Sequence, residues 1–456
     1  MANKKILFLG GGSLYFPNRM TRLLLSDEFA GSELVICDID GPKAEMVAGV
    51  FGRLNAEAGR GFRIRATVNL ADAVDGADFA VSSIGGSGAE ATPKVSDSYY
   101  HAADIRIPEK YGVFQVVGDT CGPAGMMMGL RSVPAHLEVC REMEKRCPGV
   151  VLLSHSNPMA VLCRAMRKYS SINVIGVCHG VQAGVKHLAD LLGVAPGELE
   201  CLWVGTNHYY WVTRLRHGGR DVYAEALERV GRQADEGFRL SSQLSLAYGH
   251  IILYPHDDHV IEFYSYGARA RSKEQLPFSL AEEAARRHSK AEESLALKDA
   301  ATPASVRAEF LENYRAMLDK AALPVGPDNR VTGEGVVSLM EAISRGRRER
   351  FILNLPNEGV VSNLPATAIV EVEAVTDSRG ARGIHVGECP LVLKGILEKR
   401  FAWHELVVEA AVTGDRRLAL QALLLDEMAL LPEQAAAMLD EMLGASRDLL
   451  PRFFPR

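Results

Sequence analysis

Two apolar, strand-like runs near the middle of the chain each end in a side chain that can bind a metal ion. Cys178 follows Ile175-Gly176-Val177, and His208 follows Gly205-Thr206-Asn207, 30 residues after the cysteine. A thiolate and a neutral imidazole can hold one divalent ion and leave its other coordination positions open to a substrate. Such a pair does not select one metal, and Mn²⁺, Fe²⁺, Co²⁺, Ni²⁺ and Zn²⁺ all suit it. The alternative is a buried core cysteine and a hydrogen-bonded histidine.

A second group of titratable side chains follows further along the chain. It is His256-Asp257-Asp258-His259, shortly after Tyr248 and Tyr254. Neighbouring imidazoles and carboxylates can supply a metal ligand, a general base or a proton relay. The alternative is a polar loop.

The N-terminus has residues typical of a dinucleotide site. Gly10-Gly11-Gly12-Ser13 follows a β-rich run, and Gly10 and Gly12 there let the backbone approach a pyrophosphate at a helix N-terminus. Tyr15 replaces the third glycine of the usual fingerprint. Asp38 ends the next strand, where a carboxylate accepts ribose hydroxyls and repels a 2′-phosphate, so NAD is favoured over NADP. Ser83 ends a later strand at the same sheet edge, where further cofactor contacts are expected.

Two more segments are candidates for ligand binding. Ser156-Asn157-Pro158 ends another strand, and Asn157 could hold substrate hydroxyls against the nicotinamide; an ordinary Asn-Pro turn is the alternative. Thr120, Cys121 and the stretch 122–125 form a glycine-bearing turn before a helix. That turn can bind an anion or simply cap the helix.

These residues require a sheet whose strands end together. Strands are predicted at 4–9, 33–40, 63–68, 78–84, 150–154, 174–177 and 202–204. Their alternation with helical sequence predicts an α/β fold with a Rossmann-type doubly wound parallel sheet. Beyond about residue 210 the pattern changes, with helices over 279–322, extended segments over 351–374 and helices over the last 50 residues. We therefore predict an NAD-binding domain over 1–200 and an α+β domain for substrate, metal and oligomerisation over 201–456.

Composition excludes several partners. The 456 residues are 47% apolar and 24% charged, with a net charge of −6, so neither nucleic acid nor a membrane surface is expected as a partner. No apolar run approaches the roughly 20 residues of a membrane span, and the N-terminus lacks an export signal. The eight cysteines form no CxxC pair, which indicates reduced thiols. A cytoplasmic protein is predicted.

The ordered set of motifs resembles the NAD- and divalent-metal-dependent glycosidases of glycoside hydrolase family 4, which are structurally related to lactate and malate dehydrogenases. The resemblance extends along nearly the whole chain. Its motifs are Gly10-Gly11-Gly12-Ser13, Asp38-Ile39-Asp40, Asp104 to Gly112, Gly118 to Gly125, Ser156-Asn157-Pro158, Cys178-His179-Gly180, Asn207-His208, Asp258 to Phe263, Asn357-Glu358-Gly359 and Asn363-Leu364-Pro365.

The resemblance implies hydrolysis assisted by a redox step. The sugar is oxidised at C3 with NAD⁺, which acidifies the C2 proton, and a base removes that proton while a metal ion stabilises the enediolate. The glycosidic oxygen leaves by elimination, water adds, and the reduced cofactor returns its hydride. This route is an exception to the usual pair of carboxylates in glycosidases.

The resemblance also implies residue roles. Cys178 and His208 would be the metal ligands, with Mn²⁺ ranked first. Asn157 would contact both substrate and cofactor, and Asp119 would contact the substrate. For the base, Tyr248, Tyr254, Asp257 and Asp258 all stay open, with Asp257 and Tyr254 ranked first.

His179 departs from part of the family. The phospho-α-glucosidase branch has an aspartate after the metal cysteine, where it is the suggested general acid, so His179 is a candidate that leaves this role open. The Cys-His-Gly pattern resembles branches that act on non-phosphorylated α-glycosides, including glucosides, galactosides and uronides. Ala124, where relatives usually have glycine, is a milder departure. We therefore predict hydrolysis of a non-phosphorylated α-hexoside or α-hexuronide.

Three different functions are also compatible with these residues. A simple NAD-dependent 2-hydroxy-acid dehydrogenase could have the same N-terminal fold and Asn157-Pro158, although the chain is roughly 150 residues longer than such a domain pair needs. A 6-phospho-glycosidase of the same family and a non-catalytic NAD-binding scaffold also stay open. Relatives are commonly oligomers, so a homodimer or homotetramer is expected.

Overall fold

A computed structural model describes residues 3–85, 98–233, 236–253, 256–265, 273–296, 304–326, 335–428 and 431–455. The strands are β1 (Lys5–Leu9), β2 (Glu33–Cys37), β3 (Arg63–Thr67), β4 (Phe79–Ser82), β5 (Val151–Ser154), β6 (Asn173–Gly176), β7 (Leu199–Thr206), β8 (Tyr209–His217), β9 (Arg220–Asp221), β10 (Ile251–Ile252), β11 (Arg350–Pro356), β12 (Ile369–Asp377) and β13 (Gly380–Gly383). The strands predicted from the sequence are confirmed, with ends shifted by a few residues.

The helices alternate with these strands in the first half of the chain and dominate its end. They are α1 (Tyr15–Arg19), α2 (Gly41–Ala58), α3 (Leu70–Val74), α4 (Tyr99–Glu109), α5 (Gly122–Arg146), α6 (Met159–Tyr169), α7 (Gly180–Leu192), α8 (Tyr223–Arg232), α9 (Arg239–Tyr248), α10 (Asp257–Val260), α11 (Leu280–Arg287), α12 (Ala291–Ala296), α13 (Ala304–Leu318), α14 (Val336–Ser344), α15 (Leu391–Thr413), α16 (Arg416–Asp426) and α17 (Pro432–Ala445). Within the described ranges, no helix is long and apolar enough to cross a membrane.

One sheet of nine strands forms the centre of the described structure, in the order β13-β12-β11-β6-β5-β4-β1-β2-β3. The strands from β6 to β3 are parallel, and their order is that of a doubly wound fold. Strand β1 is apolar over residues 6–9 and almost fully buried, because helices cover both faces of a parallel sheet. The predicted α/β fold class is confirmed.

The second half of the chain completes this sheet. Strand β11 pairs with β6 in the antiparallel direction, and β12 and β13 follow it. Helix α15 packs on α5 and α6, so the two halves also share a helical layer. The domain boundary at residue 200 stays a prediction, since the strands on its two sides form one sheet.

A smaller sheet holds the turn that matters for the site. Strands β7 and β8 form an antiparallel hairpin, whose two-residue turn is Asn207 and His208. Trp203 donates its indole N–H to the Glu371 carbonyl oxygen at 2.7 Å, and Thr206 donates its hydroxyl to the Ile369 carbonyl oxygen at 2.8 Å. These bonds fix the hairpin against β12 and so place its turn beside the end of β6.

Candidate metal and cofactor site

The carboxyl ends of the parallel strands open onto one crevice, as is usual for a doubly wound sheet. Gly10 follows β1, Ser83 follows β4, and Asn157 lies three residues after the end of β5. Cys178 lies two residues after the end of β6 and just before α7. The backbone N–H of Gly180, in the first turn of that helix, points at the Cys178 sulfur at 3.4 Å. This geometry favours negative charge on the sulfur.

Cys178 and His208 meet at this edge. The Cys178 Sγ atom lies 3.5 Å from the His208 Nε2 atom, and both side chains are buried. Metal bonds of about 2.3 Å to sulfur and about 2.1 Å to nitrogen at a tetrahedral angle would separate these atoms by about 3.6 Å. The two side chains therefore fit one divalent ion.

The hairpin turn holds His208 in an uncommon backbone conformation. Its φ is 61°, in the left-handed region that few residues other than glycine adopt. Burial is the main cause that lowers the pKa of His208 to about 3, and the nearby His259 adds to the effect. A neutral imidazole is the form that binds a metal.

Asp119 is the centre of a hydrogen-bonded group beside His208. Its Oδ1 accepts the Thr120 hydroxyl at 2.6 Å, and its Oδ2 accepts the Asn157 amide Nδ2 at 2.8 Å. Thr120 Oγ1 also lies 2.9 Å from His208 Nδ1. Burial alone would raise the pKa of Asp119, but the neighbouring His208 and His259 rings and the hydrogen bonds from Thr120 and Asn157 together outweigh burial and lower it. Asn157 is thus joined to Asp119, and its Oδ1 has no hydrogen-bond partner within the described residues.

His259 adds a third potential ligand. Ligating atoms of Asp119, His208 and His259 all lie within 4.8 Å of one another, so this trio is a second candidate arrangement for a metal. Asp258 Oδ1 lies 3.0 Å from His259 Nδ1, and Asp258 Oδ2 accepts from Arg287 at 2.6 Å. The sequence places His259 in a cluster that can supply a metal ligand, a base or a proton relay, but does not single out His259 as the ligand.

The candidate bases among the described residues have different surroundings. Asp257 is buried and accepts the backbone N–H groups of Leu240 at 2.6 Å and Ser241 at 2.9 Å, so it caps helix α9. Tyr248 is half-buried, and its ring stacks on that of Tyr264 with centroids 6.2 Å apart. Tyr254 lies outside the described residues. His179 is exposed at the start of α7.

Glu262 holds the loop that leads to Asp119. Its Oε1 accepts the backbone N–H groups of Val116 and Val117, both at 2.7 Å, and of Gly118 at 3.0 Å. Burial raises the pKa of Glu262 to about 7, against these N–H groups, which lower it. The sequence identifies Glu262 only as part of a motif, because no local signal joins it to a loop 144 residues away.

The N-terminal turn is shaped for close approach of a ligand. Gly10 has a φ of 66°, and a Cβ atom on it would lie 2.6 Å from the Ser83 carbonyl oxygen. The Gly12 N–H donates to Asp38 Oδ2 at 2.8 Å, and Ser83 donates its hydroxyl to the Ser13 oxygen at 3.0 Å. The predicted cofactor residues therefore lie together, in a turn that side chains at the glycines would fill. Such a turn leaves the backbone open to close approach, as a dinucleotide site needs.

Helix α13 covers this turn, which the sequence did not predict. Tyr314 donates its hydroxyl to the Gly12 carbonyl oxygen at 2.5 Å. Arg307 pairs with Asp40 at 2.6 Å, and Asp40 also caps α2. Tyr15, in place of the third fingerprint glycine, has its hydroxyl 2.8 Å from His155 Nε2.

Comparison with known proteins agrees with this geometry. The model described as "Family 4 glycosyl hydrolase" matches residues 5–194, and the model for the C-terminal domain of the same family matches residues 203–429. An α-galactosidase of Rhizobium meliloti (strain 1021) is 29% identical over 469 aligned positions, which cover 99% of this chain and 90% of the relative.

Solved structures share the fold. A 6-phospho-α-glucosidase from gut microorganisms, in complex with NAD and Mn²⁺, superposes with a TM-score of 0.75 at 20% identity, over 99% of both chains. The lactate dehydrogenase MGS-M5, from a Medee basin deep-sea metagenome library, superposes with a TM-score of 0.51 at 14% identity, over 90% of this chain and 100% of that one. The fold is thus also that of a lactate dehydrogenase. Since the two family models together span nearly all of the sequence, the chain belongs to glycoside hydrolase family 4.

Proposed function

We propose that the protein hydrolyses a non-phosphorylated α-glycoside, either a hexoside or a hexuronide. It would use NAD and a divalent metal ion, for which Mn²⁺ is our first candidate. The observation that carries the proposal is the pair formed by Cys178 and His208, with 3.5 Å between sulfur and Nε2, at the edge where the dinucleotide turn lies. A dehydrogenase of 2-hydroxy acids needs no metal there. The 6-phospho-α-glucosidase that shares this fold is described with both NAD and Mn²⁺, which supports the same pair of cofactors here.

Residues of this chain would hold the two groups. Cys178 and His208 would bind the metal, and Gly10, Gly12 and Asp38 would bind the dinucleotide. When bound, NAD supplies a hydride acceptor for the sugar and the metal supplies positive charge where negative charge develops on the sugar oxygens.

Asn157 orients the sugar in this proposal. Its Nδ2 donates to Asp119 at 2.8 Å, so its Oδ1 points away from that carboxylate as a buried acceptor. A sugar hydroxyl can donate to this oxygen and so satisfy it. Asp119, held on both sides by Asn157 and Thr120, would accept a second hydroxyl.

The proton steps require groups at the edge of this site. We assign the base to Tyr248 or Tyr254, since Asp257 is engaged with two backbone N–H groups at the start of α9 and Asp258 with His259 and Arg287. Tyr248 packs near Tyr264, whose ring lies against that of Tyr209, next to His208. His179 is the candidate acid for the departing oxygen, because it follows Cys178 directly and its side chain is exposed.

The pairing of one described cation fits an unphosphorylated substrate. Among the described residues, Arg287 lies beside the Asp258–His259 pair, and two carboxylates pair with it: Asp258 at 2.6 Å and Glu283 at 2.7 Å. A phosphate would compete with both for the guanidinium. The α-galactosidase relative points in the same direction.

The test is a set of chromogenic substrates given to the full-length protein with and without NAD⁺ and Mn²⁺. We expect a 4-nitrophenyl α-hexoside or α-hexuronide to be cleaved only when both are present, with no net NADH, and Cys178→Ser to abolish this cleavage. Cleavage confined to the 6-phosphorylated glycoside would refute the substrate class. Steady NADH production from lactate or malate without glycoside cleavage would instead establish the dehydrogenase.

A further inference from the structure

Thr120 links Asp119 to the imidazole of His208. Its Oγ1 atom lies 2.6 Å from Asp119 Oδ1 and 2.9 Å from His208 Nδ1. The side chain is buried, and the hydroxyl has a single hydrogen to share between the two neighbours.

The direction of both hydrogen bonds follows from chemistry. An ionised carboxylate only accepts hydrogen bonds, so the Thr120 hydrogen goes to Asp119. The Asn157 amide donates to the other Asp119 oxygen, as expected for a carboxylate. Thr120 Oγ1 must then accept at its second contact, and His208 Nδ1 must be the donor. The hydrogen of the neutral imidazole is thereby placed on Nδ1.

This assignment decides which side of His208 can bind a metal. With the hydrogen on Nδ1, the lone pair is on Nε2, the atom that lies 3.5 Å from the Cys178 sulfur. The opposite tautomer would direct the lone pair toward Thr120 and the side where Asp119 lies. The tautomer thus decides whether the ring nitrogen that faces Cys178 can bind a metal.

We propose that Thr120 is a positioning residue that fixes the Nδ1–H tautomer of His208 and commits the metal to the side of Cys178. The inference rests on the proposed function for the identity of the metal site, but the tautomer itself exists without metal. Metal-binding histidines generally donate their second N–H to a carboxylate, a carbonyl or water. Here a threonine hydroxyl relays that bond to Asp119.

The loop around Thr120 is held firmly enough for this role. Glu262 accepts three N–H groups from residues 116–118, and His288 Nε2 lies 2.9 Å from the Val116 carbonyl oxygen. On the other side, Gln115 donates to the Cys121 carbonyl oxygen at 2.9 Å and accepts the Ala124 N–H at 2.8 Å. Thr120 is thereby fixed from both directions.

The first test needs no variant at position 120. Long-range ¹⁵N–¹H spectra of the NAD-loaded, chelator-treated protein report which ring nitrogen of each histidine is protonated, and His208→Asn identifies the His208 signals by their loss. We expect the hydrogen on Nδ1. A hydrogen on Nε2 would overturn the proposal, whatever the substrate of the enzyme.

The second test compares Thr120→Val with Thr120→Ser in titrations with Mn²⁺ and Co²⁺. Valine keeps the shape without the hydroxyl, and we expect its Kd for either metal to rise roughly 10- to 100-fold, as is usual for partners of metal ligands. Serine should stay close to wild type. Equal affinity of Thr120→Val and wild type, or equal weakening in both variants, would contradict the relay.

A separate measurement tests whether Cys178 binds the metal at all. Co²⁺ bound by Cys178 should give a sulfur-to-metal charge-transfer band in wild type that Cys178→Ser removes. A wild-type protein that binds Co²⁺ without this band would place the metal elsewhere and overturn that part of the proposed function. The ¹⁵N measurement would then still decide the tautomer.

Discussion

His208 brings its Nε2 atom to 3.5 Å from the Cys178 sulfur while its own backbone is in the left-handed region, with φ of 61°. A non-glycine residue held there costs of the order of 1–3 kcal/mol. The hairpin between β7 and β8 therefore stores strain at the residue that faces the cysteine. Such strain is common where a side chain is needed for function rather than for folding.

The first prediction follows from this strain. Asparagine tolerates the left-handed region better than most residues, so His208→Asn should keep the free energy of unfolding of the metal-free protein within about 1 kcal/mol of wild type. The same variant should lose metal binding. Urea unfolding after chelation and a Mn²⁺ titration measure the two quantities. A loss of several kcal/mol would show that the imidazole supports the fold.

Gly10 gives a second prediction about the cofactor. A Cβ atom there would meet the Ser83 carbonyl oxygen at 2.6 Å, and the φ of 66° is itself unfavourable for alanine. Gly10→Ala should therefore abolish NAD binding in a fluorescence titration. Gly49→Ala is the matched control, since nothing lies within 4 Å of the added atom in helix α2. Tight NAD binding by Gly10→Ala would mean that the cofactor lies elsewhere.

The position of the site at one edge of the sheet could be predicted from the sequence, but the side-chain contacts between distant segments could not. The apolar runs before Gly10 and Cys178 show where parallel strands end, and strand ends in such a sheet share one crevice. The relay from Thr120 to His208 spans 88 residues, and Tyr314 reaches Gly12 across 302. No periodicity or turn signal reports contacts between segments so far apart.

The same reason explains why the second half was harder to predict. The extended character of 351–374 was evident, whereas its pairing with β6 depends on which strand edge the first half leaves open. For Asp257 the sequence predicted a chemical role, whereas the structure shows a structural one. Its acidic neighbours indicate a chemical cluster, and only the tertiary structure shows that its carboxylate caps α9.

Asp257 and Asp258 can be separated by paired substitutions, which is the third prediction. Asp257→Asn should lower the free energy of unfolding by about 1–3 kcal/mol, because the amide cannot accept both backbone N–H groups, and should leave kcat nearly unchanged. Asp258→Asn should instead lower kcat, because Asp258 joins His259 to Arg287. Denaturation curves and steady-state kinetics test both. A large loss of kcat in Asp257→Asn with normal stability would restore Asp257 as the base.

The fourth prediction concerns the C2 proton of the substrate. If a base such as Tyr248 removes this proton before elimination, hydrolysis in D₂O should place deuterium at C2 of the released sugar. Mass spectrometry and ¹H NMR of the product detect the label. Product without deuterium at C2 would count against proton exchange with solvent during the reaction. If Tyr248 is the base, Tyr248→Phe should lose both the deuterium at C2 of the product and the rate of hydrolysis.

The last prediction is a pH dependence that Glu371 should impose on stability. This side chain is fully buried between Asn207, whose Nδ2 donates to it at 3.3 Å, and its cross-strand neighbour Asn354. Burial raises the pKa of Glu371 from 4.5 to about 7, although the hydrogen bond from Asn207 and the nearby amide of Asn354 oppose this.

The sign of the effect follows from proton binding. Between pH 4.5 and about 7 the folded state keeps a proton on Glu371 that the unfolded state has lost, so stability should fall as pH rises through this range. The full loss is roughly 3 kcal/mol at about 1.4 kcal/mol per pKa unit. Glu371→Gln should flatten this dependence and be the more stable protein above pH 7, because glutamine resembles the protonated acid. Glu373→Gln, on the same strand and partly exposed, is the control, and urea unfolding between about pH 5 and 8 measures all three proteins. If wild type and Glu371→Gln show parallel pH profiles, Glu371 is ionised in the folded protein and the Asn207 turn is held by a buried charge.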